Sequence, residues 1–254
     1  MEFLDTQIIS YKFKNNTELF DGDVSGRYIS SIVALEFLGI MVKGENKATM
    51  YPTRLRGFHS ALPFICRSKK INPQIWKKHT DRLIVDFNGD FDSIIIYSNE
   101  AISYLINNRE LDTLLFFAKA ALEKEDYRKF RERAQFLIDS NITVVPITPD
   151  IVSRMQHIYK DVKHEYNVKG NYRNSFMDLL IVATAVEKKR KLISNDKELN
   201  KVLERNCEYL DVTISPSGLT SINVCTEETP NIVPKGNKGY INNSWQVMIK
   251  NKIV

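Results

Sequence analysis

MDLLIVATAVEKKRKLISND, residues 177–196, decides the fold. Phe176–Lys188 reads as a strongly apolar helix with Asp178 in its first turn. Lys191–Ser194 reads as a strand, and Asp196 follows it at the head of a short helix over Asp196–Arg205. A helix feeding a short β-branched strand and then another helix is the repeat of a parallel α/β sheet. In such sheets ligands bind beyond the carboxyl ends of the strands, where Asp196 lies.

The same pattern extends outward in both directions. Upstream, Ile142–Ile147 is a β-branched strand. Pro149 stands where helices begin, and Ile151, Met155 and Ile158 form one helical face. At the N-terminus, Met1–Asp5 is a short strand ending in an acid, and Thr6–Lys14 carries Ile8, Ile9 and Phe13 at helical spacing. Residues 20–27, FDGDVSGR, form a loop. Tyr28–Ser31 is a strand, and Ser31 is positioned to cap a helix through Val33, Leu35, Glu36 and Leu38. Glu208–Thr213 reads as a final core strand. The fold class is therefore α/β, with a central parallel sheet flanked by helices.

Four acids fall at the ends of these elements: Asp5, Glu36, Asp178 and Asp196. Each has a purely structural reading; Asp196 suits a helix N-cap, and Asp178 suits the positive end of a helix. Asp178, however, heads a helix apolar enough to be largely buried, and a buried acid near other acids needs a compensating charge. A divalent cation supplies it, and Mg²⁺ favours carboxylates and substrate phosphates. Asp5-Thr6-Gln7 lacks the second acid that an aspartyl phosphatase wants two residues after its nucleophile.

FLDT (3–6), ISSIVALEFLG (29–39), MDLLIVATA (177–185) and LISND (192–196) occur in that order, and together they resemble the PIN domain, the fold of VapC-type toxins and many RNA-processing nucleases. The resemblance implies a PIN-like three-layer fold and an acidic quartet, Asp5, Glu36, Asp178 and Asp196, around Mg²⁺ or Mn²⁺. It implies endoribonuclease chemistry leaving 5′-phosphate and 3′-hydroxyl ends, with no nucleophilic side chain. Thr6 and Ser194 match small hydroxyl residues that adjoin the acids, and turn or cap roles suit them equally. A toxin or phage-defence role follows by analogy, with an antitoxin or defence-system protein and a homodimer as candidate partners. Two other readings stay open: a PIN-like module that binds RNA or protein without cutting, and a structure-specific DNA nuclease on the same fold.

The resemblance leaves extra length. It places the nuclease domain at 1–213 with an insertion at about 43–139, and a C-terminal extension at 214–254. Lys43–Asp92 shows little periodicity. Within 43–82, ten Lys and Arg face only Glu45 and Asp81, with Tyr51, Phe58, Phe64 and Trp76 interleaved. Basic residues contact phosphates and aromatics stack on unpaired bases, so Lys69, Lys70, Lys77 and Lys78 are candidate substrate contacts. A solvated basic face over an aromatic core fits as well. Residues 93–98, SIIIYS, suit a buried strand or a helix start. Glu100–Asp139 is helical in two or more pieces. GYINNSWQVMIKNKIV, residues 239–254, alternates enough for an edge strand or hairpin. His164, Asn171 and Arg173 precede the Asp178 helix and are placed to line a substrate path, whereas Asp90 and Asp92 read as turn residues.

Composition adds bounds. The 254 residues are 43% hydrophobic, enough for a well-buried core, and the net charge of +5 leans toward polyanions. Cys66, Cys207 and Cys225 are dispersed and read as free thiols in a reducing cytoplasm, and the four histidines lack zinc-hydrolase spacing. No run approaches the roughly 20 apolar residues of a membrane span, and the N-terminus does not read as a signal peptide.

Overall fold

The computed structural model describes residues 2–41, 48–49, 80–87, 91–119, 122–166, 172–215, 218–225 and 244–248. The chain divides into two compact units: Met1–Phe37 with Ser140–Lys235, and Leu38–Asp139 with Gly236–Val254.

The first unit is built on a six-stranded sheet ordered β7-β2-β1-β8-β10-β9. Its strands are β1 (Glu2–Leu4), β2 (Tyr28–Ser30), β7 (Thr143–Val145), β8 (Lys191–Ser194), β9 (Leu210–Ile214) and β10 (Thr220–Val224). β1 runs parallel to β2 and β8, and β2 runs parallel to β7. β10 runs antiparallel to both its neighbours. The sheet is thus mixed and mostly parallel, as the alternation of strands and helices predicts. The antiparallel exception comes from Thr220–Val224, inside the segment read as an extension. It folds back as a hairpin onto β9 and takes the place beside β8. Gly218 makes that turn at φ +84, a region L side chains rarely adopt. β9 is therefore an edge strand rather than a core strand, with Asp211, Thr213 and Ile214 exposed.

Parallel neighbours need crossovers, and helices provide them. α1 (Thr6–Phe13) links β1 to β2; α6 (Pro149–Val162) and α7 (Tyr172–Glu187) link β7 to β8. α8 (Lys197–Asn206) follows β8. Ile8 and Ile9 of α1, Ile151, Met155 and Ile158 of α6, and Phe176 with Leu179–Val186 of α7 are buried. Tyr159 and Phe176 meet edge to face at 5.0 Å between centroids. Glu2 on the central strand pairs with Arg27 on one side and with Lys191 at 3.3 Å on the other, stapling β1 to both neighbours.

Two boundaries differ from the sequence reading. α7 begins at Tyr172, so Asp178 is its seventh residue and sits in the second turn. The polar YRNS segment extends the helix N-terminally, where apolar periodicity gives no signal. The helix α2 (Ser31–Leu38) starts at Ser31, but the hydroxyl that caps it belongs to Ser30, which accepts from the Val33 amide at 3.2 Å.

The second unit contains a three-stranded sheet, β11-β5-β6, and a two-stranded pair, β3 (Ile40–Met41) with β4 (Ala48–Thr49). β5 (Thr80–Asp86) pairs antiparallel with β6 (Ile94–Tyr97) and parallel with β11 (Ser244–Met248). SIIIYS thus forms a strand, half-buried rather than buried: Ile94 and Ile96 face in and Ile95 faces out. β11 is the expected edge strand, and β5 is regular structure within a stretch that lacks periodicity. The helical region resolves into α3 (Asn99–Asn107), α4 (Leu111–Lys119) and α5 (Lys124–Asp139). Arg133 of α5 donates to the Gly39 carbonyl at 2.6 Å. Among the described residues no helix is long and apolar enough to cross a membrane.

The Ser30 cap yields a stability test. Ser30 is buried, so Ser30→Ala should cost about 1 kcal/mol, the usual value of a helix cap. Thermal unfolding should show a midpoint a few degrees lower; an unchanged midpoint would place the start of α2 under other control.

Candidate metal and nucleic-acid site

β1, β2 and β8 are parallel, so their carboxyl ends open on one edge of the first sheet. Asp5 follows β1 directly, α2 starts where β2 stops, and Asp196 lies just beyond β8. Short bonds tie these ends together. The Thr6 amide donates to Asp5 Oδ1 at 2.6 Å, and the Ser194 hydroxyl donates to Asp5 Oδ2 at 2.7 Å. The Thr6 hydroxyl donates to Glu36 Oε2 at 2.5 Å. The Asp196 amide donates to Ser194 Oγ at 3.1 Å. A continuous path therefore runs Glu36–Thr6–Asp5–Ser194–Asp196 and bridges three elements far apart in sequence.

Asp196 is also the N-cap of α8, its Oδ1 accepting from the amides of Glu198 and Leu199 at 3.1 and 3.0 Å. The capping reading and the site reading are thus both satisfied, because the second oxygen stays uncommitted. Asn195 fixes the intervening turn by donating to the Tyr11 hydroxyl at 3.0 Å.

Asp178 joins the group electrostatically. Burial, then the charges of Glu36, Asp5 and Asp196, push its carboxyl up to about 8. It accepts no hydrogen bond from the described residues, and its place in the second turn removes the helix-end explanation. Burial, followed by the Asp5 charge, pushes Glu36 up to about 7 against the Thr6 hydrogen bond. Asp5 is also raised, by burial first and Asp196 after it, although Ser194 and Thr6 oppose the shift.

All four sequence-predicted acids thus converge in the first unit, with Thr6 and Ser194 between them. Asp178, Glu36 Oε1 and Asp196 Oδ2 offer hard, uncommitted oxygens, the donor chemistry that suits Mg²⁺ or Mn²⁺. Among the described residues no three acid, His or Cys side chains are already arranged as a cation cage. Both Asp5 oxygens are taken up by the Thr6 amide and the Ser194 hydroxyl.

Arg173, on the first turn of α7, is exposed and lies over the Tyr172 ring, with Nε 3.2 Å from the Tyr172 hydroxyl. His164 is exposed after α6, and Asp92 is exposed too. Lys69, Lys70, Lys77, Lys78, Asn171, Asp90 and Cys66 lie outside the described residues. Cys207 and Cys225 are free thiols. Sequence reasoning missed Tyr166, a phenol whose neighbours include Ser175, Asp178 and Asp196. A lone tyrosine after HE in a polar turn gives no periodic or motif signal.

The raised carboxyls fix a sign for pH dependence. A group that holds its proton more tightly when folded stabilises most below its unfolded pKa and loses that contribution as pH rises through its folded value. For Asp178 and Glu36 the loss spans about pH 4 to about pH 8. Metal-free protein should therefore lose melting temperature between about pH 5.5 and about pH 8. Asp178→Asn should flatten the decline and raise the midpoint at the higher pH. A variant with the wild-type slope would show that Asp178 is not strained by its neighbours.

The family model for the PIN domain matches residues 100–204. The match takes in α3, α4 and α5 as well as the segment carrying Asp178 and Asp196. No curated protein and no solved structure matches the chain significantly. PIN domains are generally nucleases that use divalent metals and act on nucleic acid, so the match supports that general activity. Residues 100–204 are thus similar to the PIN domain, and the mostly parallel sheet flanked by helices is consistent with a PIN-like fold.

Proposed function

We propose that this chain is a Mg²⁺- or Mn²⁺-dependent endoribonuclease working through Asp5, Glu36, Asp178 and Asp196. The observation that carries the reading is the convergence of these four carboxyls, three of them held above their ordinary range, on one sheet edge. Asp178 and Glu36 would provide the principal oxygens for the cation, with Asp5 and Asp196 completing the set. When bound, a divalent ion polarises a phosphodiester oxygen and activates a water. The protein's own work is positional. Thr6 holds Glu36, Ser194 holds Asp5, and the α8 amides hold Asp196, so these three carboxylates keep their places against mutual repulsion.

The substrate is RNA in this reading, tracked by the basic stretch with Lys69, Lys70, Lys77 and Lys78; Arg173 is a further candidate phosphate contact. The nuclease domain spans 1–213, with 43–139 inserted and 214–254 appended, the last lending β10 to the sheet. A cytoplasmic toxin or phage-defence role, with an antitoxin or defence protein as partner and a homodimer as assembly, accompanies this proposal by analogy.

The test is incubation of purified protein with total RNA in Mg²⁺, Mn²⁺ or EDTA, with end mapping and a duplex-DNA control. Cleavage should need the metal and leave 5′-phosphates. Loss of partners beyond a metal's direct ligands already costs about 10- to 100-fold. Asp5→Asn and Asp178→Asn should therefore cost more than about 100-fold while the fold survives. Reversing Lys69, Lys70, Lys77 and Lys78 to Glu should weaken RNA binding and flatten its salt dependence. Full activity in both carboxylate variants would refute the assignment. Cutting confined to DNA would move the site to the DNA-nuclease reading.

A further inference from the structure

Thr220 is a buried hydroxyl that the nuclease reading leaves without a task. It is 1% exposed, and its Oγ1 has no hydrogen-bond partner among the described residues. A buried hydroxyl in that state disfavours the fold, because the bonds it made to water are not replaced. Strand pairing fixes its place. Thr220 opens β10 and lies directly across from Ser194, the last residue of antiparallel β8. Residues opposite one another on antiparallel strands share a face, with Cβ atoms about 5 Å apart. The turn leading into β10 lies at the same edge. A Cβ on Gly218 would stand 3.3 Å from Lys197 Cε and 3.9 Å from Asn195 Oδ1, and these two residues flank Asp196. Ser194 is engaged on the acid side: its hydroxyl donates to Asp5 Oδ2 at 2.7 Å and accepts from the Asp196 amide at 3.1 Å. A cation that takes Asp5 Oδ2 therefore competes with the Ser194 proton for that oxygen.

We propose that Thr220 is a positioning residue for Asp5: its Oγ1 accepts the Ser194 hydroxyl when a divalent cation takes Asp5 Oδ2. The inference rests on the metal reading of the same site. A hydroxyl has acceptor lone pairs as well as a proton, so Thr220 can take this bond without giving up another. Swinging the Ser194 O–H about Cβ–Oγ leaves Oγ on the Asp196 amide. A staggered turn of Thr220 about Cα–Cβ carries Oγ1 toward it. The exchange replaces an unpartnered hydroxyl and a blocked carboxylate oxygen with a hydroxyl pair and a freed carboxylate oxygen. Relief of the unpartnered Oγ1 thus favours the arrangement in which Asp5 is ready for the cation. Through Thr220, β10 brings chemistry to this sheet edge as well as a strand.

The experiment compares the full chain as wild type, Thr220→Val, Thr220→Ser, Ser194→Ala and Ser194→Ala/Thr220→Val. It records the melting temperature in EDTA and the Kd for Mn²⁺ by calorimetric titration without nucleic acid. Thr220→Val keeps the branched shape and removes the hydroxyl, so its midpoint in EDTA should equal or exceed the wild-type value. Its Kd for Mn²⁺ should rise about tenfold to a hundredfold, the usual cost of losing a partner beyond a metal's direct ligands. Thr220→Ser should restore the wild-type Kd. In Ser194→Ala no hydroxyl needs a new acceptor, so adding Thr220→Val should raise the Kd no further. A lower midpoint for Thr220→Val in EDTA would show the hydroxyl already bonded without metal, and overturns the proposal. Equal Kd values for wild type and Thr220→Val overturn it too, as do additive losses in the double variant. Mn²⁺ binding by a wild type that cuts no RNA counts against the endoribonuclease reading alone, and the same Kd values still decide Thr220. A wild type that binds no Mn²⁺ removes the metal reading and the Thr220 role with it.

Discussion

Mutual repulsion of half-buried carboxylates is the constraint on which the rest of this structure depends. Four acids brought to one sheet edge disfavour the folded chain unless something holds them apart, holds them still or neutralises them. The fold meets part of this demand with neutral donors. Thr6 and Ser194 hydroxyls and the amides that open α1 and α8 each take one carboxylate oxygen. None of these donors carries a full charge, so they leave the repulsion among the acids uncancelled, and Asp178 and Glu36 answer it by holding their protons more tightly.

The architecture serves this arrangement. A parallel sheet sends the carboxyl ends of β1, β2 and β8 to one edge, and short connections place the polar residues immediately after them. The apolar faces of α6 and α7 anchor Asp178 from behind, since Leu179–Val186 are buried as a continuous block. The Glu2 pairs with Arg27 and Lys191 lock the central strand in register and so fix where Asp5 emerges. Antiparallel β10 then closes the side beyond β8 and turns at Gly218 next to Lys197. The site therefore depends on elements from both ends of the chain.

Much of this is legible in the sequence because period and chemistry agree there. The apolar block after Asp178, the strand before Asp196 and the strand before Asp5 each combine a clear pattern with a terminal acid. Legibility fails where side chains carry no pattern. YRNS belongs to α7 although its residues are polar, so the helix start was misplaced and Asp178 moved from the first turn to the second. The cap of α2 shifted from Ser31 to Ser30, a choice between adjacent serines that only backbone geometry makes. β10 pairs across a tight hairpin with a half-polar strand, TSINV, whose place beside β8 comes from long-range pairing rather than local propensity. The Thr6–Glu36 bond, spanning thirty residues, is likewise invisible until α2 is placed.

The most direct measurement of the central claim is a Mn²⁺ soak of crystals of the full chain, with the ion located by its anomalous signal. The account predicts a peak within coordination distance of Asp178 and Glu36, with Asp5 or Asp196 completing the shell, and its loss in Asp178→Asn. Mn²⁺ bound elsewhere with these four carboxylates vacant, or a peak undiminished in Asp178→Asn, would contradict it.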